Sequence, residues 1–109
     1  MKIAQLQDWI EEHHAEGLSL EGAMTMVNLS DSSLKRRLKK TTGLSFTQYI
    51  QSVRIEKAKR LLLSTTLSVG AVSNSVGYEN QSFFIRTFKK LTGATPSQYR
   101  IEGKDSSIV

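Results

Sequence analysis

A sixteen-residue pattern occurs twice in this chain. Leu34–Tyr49 (LKRRLKKTTGLSFTQY) returns fifty positions later as Phe84–Tyr99 (FIRTFKKLTGATPSQY). Arg36, Lys39, Lys40, Thr42, Gly43, Gln48 and Tyr49 recur as Arg86, Lys89, Lys90, Thr92, Gly93, Gln98 and Tyr99. The apolar partners Leu34/Phe84 and Leu38/Phe88 change size but not character. A 109-residue chain that carries such a segment in duplicate is expected to build one local unit twice. The segment is basic and helical in period, so two copies imply two matching cationic surfaces. Duplex DNA is a polyanion with equivalent, regularly spaced surfaces of that kind.

The charge distribution follows the repeat. Residues 1–33 hold one lysine against six acids (Asp8, Glu11, Glu12, Glu16, Glu21 and Asp31), whereas residues 34–100 hold thirteen Lys or Arg against Glu56 and Glu79. The positive field thus starts where the first copy starts, which suits a polyanionic partner. The chain has no cysteine, which rules out disulfides and thiolate metal sites and fits a reducing compartment. No apolar run approaches ~18 residues and no signal peptide is visible, so no membrane association is expected and the cytoplasm, at the nucleoid, is the expected location. His13-His14 lacks a third ligand nearby, so neither metal nor cofactor is expected. With no Gly-rich phosphate loop and no Ser/His/Asp or paired-carboxylate cluster near the basic faces, no catalytic residues are assigned and no enzyme is expected.

Periodicity and caps predict an all-α chain of seven helices. Ile3, Leu6, Ile10 and His13 share a stripe, giving a first helix over 2–15 that ends at Gly17. Ser19 caps a short helix over 20–27, and Asn28-Leu29 makes a tight turn. Ser30 caps a helix that stops at Gly43, the expected left-handed residue. Ser45 caps a long helix whose Phe46, Tyr49, Ile50, Val53, Ala58, Leu61 and Leu62 read as one broad buried stripe. The pattern then restarts. Ser68 caps a helix over 69–76 held by Val69, Val72 and Val76, Gly77 turns, Asn80 caps a helix ending at Gly93, and Thr95 caps the last with Pro96 in its first position. Trp9, Phe46 and Tyr49 are core candidates. The division that follows is 1–44 for the first helix and first subdomain, 45–64 for a linker helix, 65–102 for the second subdomain, and 103–109 for a polar, frayed tail.

Each half is a short helix, a tight turn and a longer basic helix, the layout of a helix-turn-helix, in which the second helix reads base edges in the major groove. Turned at 3.6 residues per turn, the first basic helix points Leu34 and Leu38 inward and Ser32, Lys35, Arg36 and Lys39 outward. The second points Phe84, Phe88 and Leu91 inward and Ser82, Ile85, Arg86 and Lys89 outward. Arg clamps guanine O6/N7, Lys reaches the same atoms, Ser serves several bases, Ile85 touches a thymine methyl, and Gln81 in the first turn suits adenine. The pairs Lys39-Lys40 and Lys89-Lys90 serve equally as phosphate contacts or as cations that offset the helix dipole. The helix starts at Ser45 and Thr95 can present N–H groups to phosphate. Arg54 reads first as a structural residue of the linker helix and second as a phosphate contact.

These residues resemble the DNA-binding domain of the AraC/XylS class of bacterial transcription regulators over about residues 3–100. The resemblance rests on Arg54, Ala58, Leu61 and Leu62 in the long helix. It continues with Val72, Gly77-Tyr78, Asn80, Ser82, Phe84, Arg86, Phe88-Lys89-Lys90, Gly93, Pro96 and Tyr99-Arg100 (VGYENQSFFIRTFKKLTGATPSQYR). It implies two homeodomain-like helix-turn-helix bundles joined by one long helix. Ser32, Lys35 and Arg36 would then read one major groove and Gln81, Ser82, Ile85 and Arg86 the next. Met24 and Ser73 stand where the family usually has Ala, Asn28 replaces the usual turn Gly, and Leu38 replaces a common Phe. These departures imply looser packing, chiefly in the first subdomain. The first turn is also one residue shorter: Leu20–Leu29 correspond to Val69–Tyr78 at an offset of 49 before the offset becomes 50.

The expected function is sequence-specific binding of double-stranded DNA as part of a transcription regulator, an activator by the same resemblance. Two reading helices about 34 Å apart would cover about 20 bp. If the long helix holds them closer than one turn of duplex, the DNA must bend, at a cost of roughly 1–6 kcal/mol. RNA polymerase is the expected protein partner. The resemblance implies a separate sensor or dimerisation domain for which this chain has no room, which leaves two readings open: a C-terminal fragment of a longer regulator, or a short stand-alone one. Two other readings stay open on the residues alone: a non-specific basic nucleic-acid module, and an adaptor whose acidic first helix contacts RNA polymerase while a partner reads the DNA.

Overall fold

The computed structural model describes the backbone of residues 2–15 and 20–108, with side chains described over 3–15 and 21–103. Among these residues every regular element is a helix: α1 (Lys2–His13), α2 (Leu20–Val27), α3 (Asp31–Thr42), α4 (Phe46–Ser64), α5 (Val69–Ser75), α6 (Gln81–Thr92) and α7 (Pro96–Ile108). The predicted stop at Gly17 and cap at Ser19 lie outside the described residues. The chain forms two compact units, Met1–Val53 and Arg54–Val109. The boundary falls inside α4, whereas the sequence reading treats 45–64 as a linker of its own.

The reason lies in the apolar pattern of α4. Phe46, Ile50 and Val53 (i, i+4, i+7) are buried in the first unit, with Ile3, Leu6 and Ile10 of α1, Ala23 and Val27 of α2, and Leu34 and Leu38 of α3. Ile55, Ala58 and Leu62 (i, i+3, i+7) are buried in the second unit, with Val72, Val76, Tyr78, Phe84 and Phe88. At 100° per residue, two residues on from Val53 is a different face of the helix. The single broad stripe of the sequence reading is therefore two short stripes, and Ile55, absent from that reading, opens the second. Each fully buried Leu or Phe contributes about 1.5–3 kcal/mol relative to exposure, so neither small core has side chains to spare.

Apart from Phe46, the buried residues of the first core are aliphatic, and half-buried Trp9, Met24, Leu29 and Tyr49 edge it. Leu38 is fully buried and Met24 packs against the same cluster, so the core accommodates both departures from the family pattern. The second core adds a run of aromatic rings to its aliphatic residues. Ring centroids step from Tyr78 to Phe84 (5.3 Å), Phe84 to Phe88 (5.8 Å) and Phe88 to Tyr99 (5.4 Å, edge-on). Tilted and edge-on aromatic pairs at this spacing add to what burial alone supplies. Val72 and Val76 are buried and Val69 packs beside them, which holds α5 despite its poor helix formers.

Two sequence expectations are corrected. Leu91 is about half exposed; it lies one turn beyond Phe88 on the same face, where α6 has outrun the core. Residues 103–108, expected as a frayed tail, are helical as the end of α7. Gly103 explains the continuation: a methyl there would collide with Leu63 Cδ2, so the missing side chain allows α7 to lie close to α4. Arg100 holds the same junction, donating from Nε to Leu62 O (2.9 Å) and from Nη2 to Thr65 O (3.4 Å), two carbonyls at the end of α4.

Burial raises the pKa of both Tyr49 and Tyr78 above the ordinary phenol value of 10.0. At Tyr49 a Gln7 hydrogen bond opposes burial while Glu11 and Asp8 reinforce it, and at Tyr78 the Arg54 charge opposes it. The folded state thus holds these protons more tightly than the unfolded chain. Their contribution is complete below pH ~10 and is lost as pH rises through the raised values. Thermal midpoints measured from pH 8 to 11 should fall above pH ~10, and less steeply in the Tyr49→Phe/Tyr78→Phe double variant. The Tyr78 hydroxyl is buried with no hydrogen-bond partner among the described residues. Tyr78→Phe alone should therefore leave stability at neutral pH unchanged or raise it by up to about 1 kcal/mol.

Candidate nucleic-acid interface

The two basic helices begin and end in the same way. Ser30 Oγ accepts from Ser33 N at the start of α3, and Asn80 Oδ1 accepts from Phe83 N at the start of α6. At their ends Gly43 (φ 77°) and Gly93 (φ 87°) are left-handed, with N–H bonds to Lys39 O and Lys89 O. The recurring threonines add a second lock. Thr42 Oγ1 donates to Leu38 O (2.8 Å) and accepts from Leu44 N, and Thr92 Oγ1 donates to Phe88 O (2.8 Å) and accepts from Ala94 N. The recurring glutamines close reciprocal capping boxes at the next helix start: Ser45 with Gln48, and Thr95 with Gln98. Four of the seven identical repeat residues are thus joint and core residues. The recurrence of Thr42 and Thr92 beside the two glycines is visible in the sequence, but the lock they form was not read from it.

The turns before the basic helices also match. Leu29 N–H donates to Met24 O and Tyr78 N–H donates to Ser73 O, each closing over a left-handed residue. In the first turn that residue is Asn28 (φ 53°), which adopts the conformation Gly77 (φ 98°) takes in the second. Asn is the non-glycine residue that tolerates this region best. Ser73, in place of the family Ala, is buried and donates its hydroxyl to Tyr78 O (3.3 Å).

The remaining repeat residues, Arg36, Lys39 and Lys40 with Arg86, Lys89 and Lys90, are exposed, as are Ser32, Lys35, Gln81 and Ser82. Lys35 Nζ pairs with Asp31 Oδ1 at 3.0 Å. Ile85 departs from its expected outward position: it is half-buried and packs against the second core. In the first unit Lys35, Arg36 and Lys39 of α3 face Ser45, Phe46 and Thr47 at the start of α4 across a cleft of about 510 Å³. The Ser45–Gln48 box leaves the Phe46 and Thr47 N–H groups at that helix start. At the equivalent start of α7 Pro96 has no N–H, which leaves one donor fewer. Arg54 is half-buried, its guanidinium 5.4 Å from the centre of the Tyr78 ring. On α1, His13 stacks obliquely on Trp9, and just beyond the helix His14 Nδ1–H donates to Glu11 O. Among the described residues no three metal-ligating side chains gather and no helix is long and apolar enough to cross a membrane.

The family model for a helix-turn-helix domain matches residues 24–101. The chain belongs to the AraC/XylS-type helix-turn-helix DNA-binding domains. It is 34% identical over 98 residues to the xylose operon regulatory protein of Escherichia coli K12, covering 90% of this chain and 25% of that protein. Two solved structures superpose closely. The C-terminal domain of AraT, a response regulator from Geobacillus stearothermophilus, has a TM-score of 0.87 and 35% identity over 93% of this chain and 84% of that one. The DNA-binding domain of AdpA, a global transcriptional factor in complex with a target DNA, has a TM-score of 0.88 and 25% identity over 94% and 93%. The chain spans about a quarter of the length of the xylose operon regulator.

Gly70 of α5 lies under the end of the Gln81 side chain: a methyl there would stand 2.8 Å from Gln81 Oε1. The obstacle is the mobile tip of a side chain, so Gly70→Ala should stabilise the domain by about 0.5–1 kcal/mol through helix propensity while displacing the Gln81 amide. A raised denaturation midpoint together with a shifted Gln81 side-chain amide resonance checks both parts.

Proposed function

We propose that this domain binds specific double-stranded DNA sequences with α3 and α6, each entering a major groove of its own. Ser32, Lys35 and Arg36 read one box, and Gln81, Ser82, Ile85 and Arg86 read the other. The observation that carries this is the matched pair of capped helices with Arg36 and Arg86 exposed at equivalent positions. Folding needs the shared caps; it does not need an arginine at the same exposed place in both units. An exposed Arg can hold guanine O6 and N7 together.

Lys39, Lys40, Lys89 and Lys90 supply phosphate contacts and the salt-dependent part of the affinity. In the first unit the start of α4, capped by Ser45, offers two N–H groups to a phosphate beside Lys35, Arg36 and Lys39. Thr95 caps the weaker counterpart. Arg54, steadied on the Tyr78 ring, is a further phosphate contact. The domain acts without catalysis. Activation proceeds through RNA polymerase, towards which the acidic face of α1 supplies a surface of opposite charge to the reading helices.

Binding-site selection from random duplex DNA at near-physiological salt tests the reading and should enrich two boxes. Arg36→Ala and Arg86→Ala should each lose about 1–3 kcal/mol on the selected site and relax preference at one base. Equal weakening on every sequence would make them phosphate contacts, and strong salt-sensitive binding with no enriched box would establish a non-specific module instead.

A further inference from the structure

We propose that Asp31 is a specificity-determining residue of the first reading helix and that it selects cytosine. The inference rests on the DNA-reading function proposed above. Asp31 is the first residue of α3, directly after the Ser30 cap; Gln81 is the first residue of α6, directly after the Asn80 cap. The caps make the same side chain-to-backbone bond three residues on, so the two positions are structurally equivalent within their units. Gln81 presents a neutral amide there and Asp31 a carboxylate.

A carboxylate is out of character on this surface. Lys35, Arg36, Arg37, Lys39 and Lys40 follow it on the same helix, all exposed. Close to phosphates an acid is repelled, so Asp31 lowers the affinity for DNA in general. What a carboxylate supplies that Gln, Ser or Asn does not is an acceptor-only group, and the major-groove atom that suits it is the N4 amine of cytosine. The geometry supplies the second half of the contact. Lys35 Nζ lies 3.0 Å from Asp31 Oδ1, and both side chains are more than half exposed. An acceptor and a donor thus stand side by side at the reading end of the helix. A C·G pair shows the complementary edge: the cytosine N4 donor beside the guanine O6 and N7 acceptors. The ion pair also holds Lys35 in place before the DNA arrives, which reduces the ordering cost of the contact.

The test is binding-site selection with the wild-type domain and with Asp31→Asn, followed by affinities on the selected site and on its three variants at the affected pair. Circular dichroism verifies that both proteins fold, and Asp31→Ser serves as the second variant should Asn disturb the helix start. Wild type should prefer C·G at one position of one box by about tenfold. Both variants should lose that preference while binding random duplex more tightly, and Lys35→Met should weaken preference at the same pair. Tighter binding on every sequence with the preference intact would overturn the proposal, leaving Asp31 as a charge at the helix start. Enrichment of A·T at that pair by the wild-type domain would overturn it as well. Absence of any enriched box with the wild-type domain would instead overturn the DNA-reading function, and this proposal with it.

Discussion

Each basic helix of this domain is stopped by a glycine that turns left-handed, and the remaining structure depends on that stop. Gly43 and Gly93 end their helices after three turns, and the adjacent threonine hydroxyl bonds both backwards and forwards across the bend. Two residues later Ser45 or Thr95 opens the next helix with a reciprocal capping box. These are all bonds between residues a few positions apart. They fix where a recognition surface ends and where the following helix begins before any long-range packing is considered.

Most of this architecture was legible in the sequence because it is written locally. Caps, left-handed positions and the stripes Leu34/Leu38 and Phe84/Phe88 follow from residue type and spacing within one turn or two. The misreadings share a different cause. The change of face in α4 between Val53 and Ile55, the exposure of Leu91 and the helical course of 103–108 are decided by which other helix covers a given face. Spacing within one helix does not carry that information. Gly103 was a visible residue with an invisible reason, since its partner Leu63 lies forty positions away.

The site residues divide in the same way. That Ser32, Lys35, Arg36, Gln81, Ser82 and Arg86 are exposed follows from helix geometry and was readable. That Gln81 lies over Gly70, that Lys35 is tied to Asp31, and that Ile85 belongs half to the core required side-chain placement. The two units are alike in backbone and unlike in chemistry. One core is mainly aliphatic and the other is built around a run of aromatic rings, and one reading helix starts with an acid where the other starts with an amide. Duplication of the joint has not imposed duplication of the surface.

Ile85 marks where that independence ends. The polar readers stand clear of both cores, so a new operator could be matched by exchanging them without endangering the fold. Any exchange at Ile85 also alters the packing around Phe84 and Phe88. The α6 helix therefore holds one letter of its recognition alphabet that cannot be rewritten without loosening its own foundation, whereas the corresponding position of α3, Lys35, is under no such restraint.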